Sequence, residues 1–453
     1  PLGLSSSHVL GHIGRISEDD LLRQKKQNSA KQYRGFTHIG KLGVEESYEH
    51  LLRGKIGYQH VEVTAGGKMI RELNNSLPVP GQSIALTIDA KLHRLVENSF
   101  GTRKGGLVAI EPSTGEILAF VSMPNFDPNA FIDGIDQKIW EELNTSLDKP
   151  LLNRPLKGLY PPGSTYKPFM ALAALSSGAK DPRESINDPG YFVLGNHKFR
   201  DSSQGGHGQV DMKKSIVVSS DTYYYKLAIG MGVDLIHEHI SPFGFGKQTG
   251  VDLSGEARGI LPSSSWKLQR HGKPWLQGET PSIGIGQGYN VFTILQMAKA
   301  TAIIANRGIM VKPRLFKGSR EFNNSEFTYS EPIIQGKLNI QQEWFDFVID
   351  AMVEVNKVGT ASRVFGNSPF PVAGKTGTAQ VFTIKQDEEY DSEKVPERLK
   401  DHSLYIGFAP VDKPRIAIAV VVENGGFGVT TATPIAKLVF DYYLAKKRQK
   451  PLE

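Results

Sequence analysis

The chain has 453 residues, 39% hydrophobic and 22% charged, with 53 Lys+Arg against 47 Asp+Glu and no cysteine. This is a globular composition of two to four domains' length, and the lack of cysteine excludes a disulfide scaffold, a thiolate metal site and a cysteine nucleophile. The surplus of +6 is spread along the chain rather than gathered in a basic block, so no nucleic-acid partner is expected.

From Pro1 to about Pro80 the sequence is polar and turn-rich. A helix is predicted over Val44–Arg53, with Val44, Tyr48, Leu51 and Leu52 on one narrow face, and strand-like alternation follows at Val61–Val63. Pro78-Val79-Pro80-Gly81 punctuates the chain, and a domain boundary is placed there: 1–80 and 81–453. Beyond it, Ser83–Thr87 alternates as a strand, and Asp89 is a suitable N-cap for a helix carrying Leu92, Leu95 and Val96. Leu107–Ile110 and Ile117–Val121 read as a hairpin across the turn-rich Glu111–Glu116. Near the other end, Leu404–Phe408 and Ile416–Val422 form a second pair of strands, and a helix from about Thr433 to Lys446 closes the chain. Strands at both ends of the long segment, with a helical and loop-rich middle, predict an α+β fold: an antiparallel sheet assembled from N- and C-terminal pieces and flanked by helices. No internal repeat is present. No apolar run reaches the ~18 residues needed to span a bilayer, and the abrupt ends Pro1-Leu2-Gly3 and Pro451-Leu452-Glu453 read as those of a fragment whose membrane anchor lies upstream.

The first chemical signal is Tyr160-Pro161-Pro162-Gly163-Ser164-Thr165-Tyr166-Lys167. Two prolines and a glycine forbid helix before Ser164, and the apolar residues after it favour one, so Ser164 is placed at a helix N-terminus. Three residues is nearly one turn, which returns Lys167 to the face of Ser164 as a candidate base for its hydroxyl. Alone, Ser-x-x-Lys is an ordinary capping serine and a solvated lysine. Two further segments change that reading: Ser219-Ser220-Asp221 ahead of an apolar helix, and Lys375-Thr376-Gly377-Thr378 in a strand-like context. The three occur in the order of the S-x-x-K, S-D-N and K-T-G set of penicillin-binding proteins and serine β-lactamases, with Asp221 where Asn is commoner.

Further stretches narrow the match: Gly43–Glu49 with Leu52-Arg53-Gly54, Asn153-Arg154, Gly278-Glu279-Thr280 and Gly284-Ile285-Gly286-Gln287-Gly288. Together the chain resembles the class B penicillin-binding proteins, and among them the elongation-specific transpeptidases of rod-shaped Gram-negative bacteria. The resemblance implies a partial N-terminal pedestal followed by a penicillin-binding transpeptidase domain, held at the inner membrane by an upstream anchor with its catalytic domain in the periplasm. It implies that Ser164 attacks the penultimate D-Ala carbonyl of a peptidoglycan stem peptide, that Lys167 is the base, that Ser219 relays a proton and that Asp221 orients Lys167 or the substrate amide. Lys375 would attract the substrate carboxylate, Gly377 would let an extended peptide approach, Thr376 and Thr378 would hydrogen-bond that peptide, and the N–H groups of Ser164 and Thr378 would form the oxyanion hole. β-Lactams would acylate Ser164. An elongation glycosyltransferase and a scaffold such as MreC are the partners the resemblance implies. A D,D-carboxypeptidase or β-lactamase on the same fold, and a non-catalytic scaffold or sensor of the elongation machinery, are the competing readings.

Some relatives of this type bind zinc through two Asp, one His and one Cys. Here Asp188, His197, Asp201 and His207 lie in the corresponding stretch, but Ser220 stands where a thiolate is needed, so no cofactor is expected and a polar, glycine-rich loop is the preferred reading. The glycines of 284–288 lack a phosphate-loop spacing and are read as shaping a tight connection near the site. Gln386–Glu397, rich in Asp and Glu, reads as a solvated loop, and Lys446-Lys447-Arg448 as the basic end of a helix.

Overall fold

The computed structural model describes residues 3–26, 29–381 and 395–448. The greater part of the predicted loop at Gln386–Glu397, and the side chains of Lys446–Arg448, fall outside the described residues.

At the centre is a five-stranded antiparallel sheet in the order Ala373–Ala379, His402–Ala409, Ile416–Val422, Gly105–Ile110, Ile117–Met123. The N-terminal hairpin and the C-terminal strand pair meet where Ile418 faces Ala109 and Val420 faces Leu107. This is the sheet built from both ends of the chain that the apolar runs predicted. Every residue of Ile416–Val422 is buried, because helices cover both faces and leave no reason for polar alternation. Adjacent glycines show the two layers: a Cβ on Gly106 would meet Ile294, and one on Gly105 would meet Phe100. Ile294–Ala305 is buried on all sides, as an apolar helix inside a domain must be, and its first turn is closed by a Thr293–Gln296 capping box. On the opposite face lie Ala90–Phe100 and Ala432–Arg448. Asp89 caps the first of these, accepting from the N–H groups of Lys91 and Leu92 at 3.0 and 3.1 Å.

The N-terminal region is less regular. The helix predicted over Val44–Arg53 is two short helices, Gly43–Ser47 and Glu49–Leu52, broken at Tyr48. Tyr48 has another use: its ring stacks on Phe316 and its hydroxyl donates to Asp252, whose carboxylate also accepts from the N–H groups of Leu315 and Phe316. The alternation at Val61–Val63 belongs to a longer two-stranded ribbon, Tyr58–Val63 with Met69–Ser76. Ser83–Leu86 pairs with Phe316–Arg320. The first residues pack onto the sheet domain: Ser5 and Ser6 hydrogen-bond Glu97 at 2.6 and 2.9 Å, and Val9 is buried in the main core.

Candidate active site

Ser164 lies in a 3₁₀ turn, Gly163–Tyr166, that leads into the helix Lys167–Ser176. The prolines stop regular helix earlier, as predicted, but the α-helix proper begins at Lys167 rather than at the serine. Gly163 has φ +51°, and a Cβ there would fall 2.4 Å from the Thr378 carbonyl; only glycine lets the turn lie this close to the edge strand. Gly286 seals the other side, with its carbonyl accepting from Gly163 N–H at 3.0 Å and no room for a side chain against Gly163 and Tyr166. Of the glycines of 284–288, Gly286 thus shapes a tight contact with the serine turn, whereas Gly284 packs on Tyr224 and Ala228.

Lys167 is fully buried. Its Nζ donates to Asp221 Oδ1 at 2.6 Å, to the Ser219 carbonyl at 2.7 Å and to Ser219 Oγ at 3.2 Å. Three oxygen atoms therefore surround Nζ, and none of them belongs to Ser164. The direct Ser164–Lys167 hydrogen bond that the three-residue spacing suggested is thus replaced by bonds to the second motif. Ser219 and Asp221 are delivered by the turn ahead of the helix Asp221–Ile240, with Ser220 as its N-cap. Ser219 adopts φ +63°, a left-handed conformation that a non-glycine residue holds only under external constraint.

Lys375 enters from the edge strand. Its Nζ donates to Ser219 Oγ at 2.8 Å and to the Thr376 carbonyl at 3.1 Å, so Ser219 Oγ joins the two lysines. Burial pushes Lys375 well below the ordinary lysine value, the Lys167 charge lowers it further, and Asp221 partly opposes both. Burial likewise raises the Asp221 carboxyl, Lys167 pulls it down, and the nearby Asp201 adds to the rise. Asp221 is thus the carboxylate in direct contact with the array, and Asp201 lies close enough to act on it.

The remaining residues of the strand motif divide. Thr376 Oγ1 lies 2.7 Å from Thr360 Oγ1, so its hydroxyl is engaged with the loop after the helix Gln342–Lys357. Gly377 is needed for packing as much as for access: a Cβ there would meet Thr165 Cγ2 at 2.7 Å and the Pro162 carbonyl at 3.1 Å. The Thr378 carbonyl points outward from the sheet, toward Gly163 and to Gln287 Nε2 at 3.4 Å. On an antiparallel edge a residue's N–H and C=O share one side, which puts the Thr378 N–H on the serine side.

Sequence reasoning did not connect Arg154, Tyr160 and Glu423. Arg154 is buried and holds Glu423 through Nε at 2.8 Å and Nη2 at 3.2 Å, and Tyr160 donates to the same carboxylate at 2.7 Å. Burial raises Glu423, but Arg154 and Tyr160 outweigh it and hold the group below its ordinary value. This ties the approach to the serine turn to the end of the strand Ile416–Val422.

Asp188, Asp201 and His207 do come together, with ligand-type atoms within 4.8 Å of one another. His197 sits instead on a hairpin with its ring against Phe199. Asp188, Asp201 and His207 supply three strong donors, and His207 Nε2 is buried with no hydrogen-bond partner, but the set lacks the fourth strong donor that closes a structural zinc site. Ser220 Oγ, at the place of the missing thiolate, donates to Asp188 Oδ2 at 2.6 Å, and a neutral hydroxyl is a weak zinc ligand beside the Cys, His and carboxylate groups that close such sites. No step of the chemistry is routed through a metal.

A serine turn, two buried lysines, a shared serine and an outward N–H edge define a serine acyl-transferase. The comparisons give the family. The model of the penicillin-binding protein transpeptidase domain matches residues 105–441, and that of the penicillin-binding protein dimerisation domain matches 1–86. The chain is 43% identical to the peptidoglycan D,D-transpeptidase MrdA of Acinetobacter baumannii, over 100% of this chain and 66% of that protein. It is 38% identical to MrdA of Escherichia coli K12, over 97% and 70%; the chain therefore spans about two thirds of the length of these relatives. Pseudomonas aeruginosa PBP2 in complex with WCK 5153 superposes with a TM-score of 0.84 at 39% identity, covering 98% of this chain and 90% of that one. PBP2 of Helicobacter pylori in complex with MreC gives 0.85 at 31%, covering 98% and 78%. The chain belongs to the class B penicillin-binding proteins, on the MrdA branch of serine D,D-transpeptidases that cross-link peptidoglycan during elongation.

Proposed function

We propose that Ser164 is the acylated nucleophile and that Lys167, Ser219, Asp221 and Lys375 form one proton and charge network around it. The observation that supports this most is the convergence of both lysines on Ser219, with Asp221 bound to Lys167. In the resting network Lys167 has three acceptors, so it must give up a proton before it can take one from Ser164. Asp221, already raised by burial and Asp201, is the nearest acceptor. Ser164 Oγ then attacks the penultimate D-Ala carbonyl carbon as its proton passes to Lys167. The oxyanion is held by the N–H groups of Ser164 and Thr378. Collapse of the tetrahedral adduct expels D-Ala, its nitrogen protonated through Ser219. Attack on the ester by an amine of a second stem releases Ser164 and forms the cross-link.

Lys375 has a second role. Its charge is disfavoured in the buried array and becomes favourable once the carboxylate of a D-Ala terminus, or of a β-lactam, is placed beside it. In this reading residues 1–80 form a partial pedestal and 81–453 the transpeptidase domain. No described helix is long and apolar enough to cross a membrane; attachment to the inner membrane from the periplasmic side, and pairing with MreC and an elongation glycosyltransferase, are proposed from the relatives. Intact mass after mixing with a penicillin tests the assignment. One persistent adduct per chain, lost in Ser164→Ala, is expected. An adduct that disappears within seconds while drug is consumed would assign a β-lactamase instead, and an adduct retained by Ser164→Ala would place the nucleophile elsewhere.

A further inference from the structure

The segment 186–210 does more than link the first two motifs. Ile186–Asp188 pairs with Gly208–Val210, and Tyr191–Leu194 with His197–Arg200. The fold-back brings Asp188 and Asp201 beneath the N-terminus of the helix Asp221–Ile240. All four of their carboxylate oxygens have hydrogen-bonding partners. Asp188 accepts from Gly190 N–H at 2.8 Å and from Ser220 Oγ at 2.6 Å. Asp201 accepts from Thr222 N–H at 2.8 Å and from Ser203 N–H at 3.2 Å. Ser220 Oγ accepts in turn from Tyr223 N–H at 3.2 Å, and Ser220 N–H donates to the Ser215 carbonyl at 3.0 Å. Thus Ser220, between Ser219 and Asp221, is bound through backbone and side chain and Thr222, just after them, through its backbone, while Ser219 itself is held at φ +63°. A strained φ of this kind costs of the order of 1–3 kcal/mol and persists where the surroundings over-determine it.

We infer that Asp188, Asp201 and Ser220 form a metal-independent hydrogen-bonded knot that positions Ser219 and Asp221 for acylation. The inference rests on the acyl-enzyme reading above for what is positioned, and on the hydrogen bonds alone for how. A closed four-ligand zinc site would need a strong donor where this chain has a hydroxyl, and the Ser220 proton already joins that hydroxyl to Asp188; His207 Nε2, buried without a hydrogen-bond partner and 3.8 Å from Asp201 Oδ1, leaves a three-donor set that the zinc measurement below judges. Asp188, Asp201 and Ser220 are positioning residues: they act on the reaction through Ser219, Asp221 and the helix end.

The test uses the whole chain produced in zinc-supplemented medium. Zinc content by plasma mass spectrometry should be far below one per chain, and EDTA should leave melting temperature and penicillin acylation unchanged. Ser220→Cys supplies the thiolate and should take up about one zinc per chain with a melting temperature that EDTA lowers. Wild-type protein with one zinc per chain, whose removal lowers its melting temperature, would overturn the inference. Ser220→Ala breaks the link to Asp188 and should slow the acylation step about tenfold, with the prior penicillin dissociation constant unchanged. Acylation at the wild-type rate would overturn the positioning role. Should Ser220→Ala fail to fold, Asp188→Asn, which keeps the shape and removes the charge, carries the same expectation. Zinc and melting are read without penicillin, so they judge the knot even if the acyl-enzyme reading fails.

Discussion

Asp221→Asn isolates the carboxylate that contacts Lys167. The substitution keeps size and leaves an amide able to accept from Lys167, but it deletes the anion that Lys167 contacts at 2.6 Å and that partly sustains the charge of Lys375. A hydrogen bond to a charged group contributes about 1.5–3 kcal/mol net, which corresponds to roughly 10- to 150-fold in rate where the network must be intact to react. Asp221 raises Lys375, so its loss lowers Lys375 further. A lysine is lost as a cation when pH rises through its value, so the pH at which carboxylate capture fails should move down. Stopped-flow acylation by a fluorescent penicillin, from pH 5 to 10, should show a second-order rate constant about 10²-fold lower at neutral pH and an alkaline limb that begins earlier than in wild type. Melting temperature checks that the fold survives. A wild-type rate with an unmoved limb would refute the network. A faster rate would mean that Asp221 only locks Lys167 as an ammonium.

Gly377→Ala forces a Cβ to within 2.7 Å of Thr165 Cγ2; displacing the serine turn should cost acylation about 10²-fold with the far-ultraviolet dichroism unchanged, and an active Ala variant would show that the turn can yield. Glu423→Gln leaves buried Arg154 without its counter-charge and should destabilise the domain by about 3–5 kcal/mol in urea unfolding. Because Glu423 is held below its ordinary value, its contribution is present above the unfolded carboxyl value and is lost as pH falls through the lowered one. The gap between wild type and variant should therefore close in acid. Tyr48→Phe keeps the ring on Phe316 but strips the donor from Asp252, and a loss of about 1–3 kcal/mol is expected; no change in unfolding would show that the ring alone holds the N-terminal region.

Much of this was legible in the sequence because it is local. The two strand pairs are unbroken apolar runs, the Asp89 cap sits one residue before its helix, and Ser164, Lys167, Ser219, Asp221 and Lys375 lie in short segments whose order carries the chemistry. What was not legible depends on residues far apart. The bond between Arg154 and Glu423 joins groups 269 positions apart, and that of Tyr48 to Asp252 spans 204; no periodicity encodes either. Helical spacing suggested Lys167 as the partner of Ser164 but could not show that Ser219 and Asp221 would take its hydrogen bonds. The packing need at Gly377, beside the access it was read to give, was not legible for a related reason, since the neighbour that fills the space is Thr165, more than two hundred residues earlier by numbering. The Asp188–Asp201–His207 cluster was found from residue types, whereas the use of Ser220 as both helix cap and donor required the fold.

The most direct test of the central claim is the fate of the acyl group. The protein would be given a stem-peptide thiolester donor with a D-amino acid as acceptor, and amide and acid products would be separated by mass. The account predicts an acyl-enzyme on Ser164 and a predominance of the amide-linked product, both abolished by Ser164→Ala. Acid alone, at every acceptor concentration, would contradict it and assign a hydrolase on the same fold.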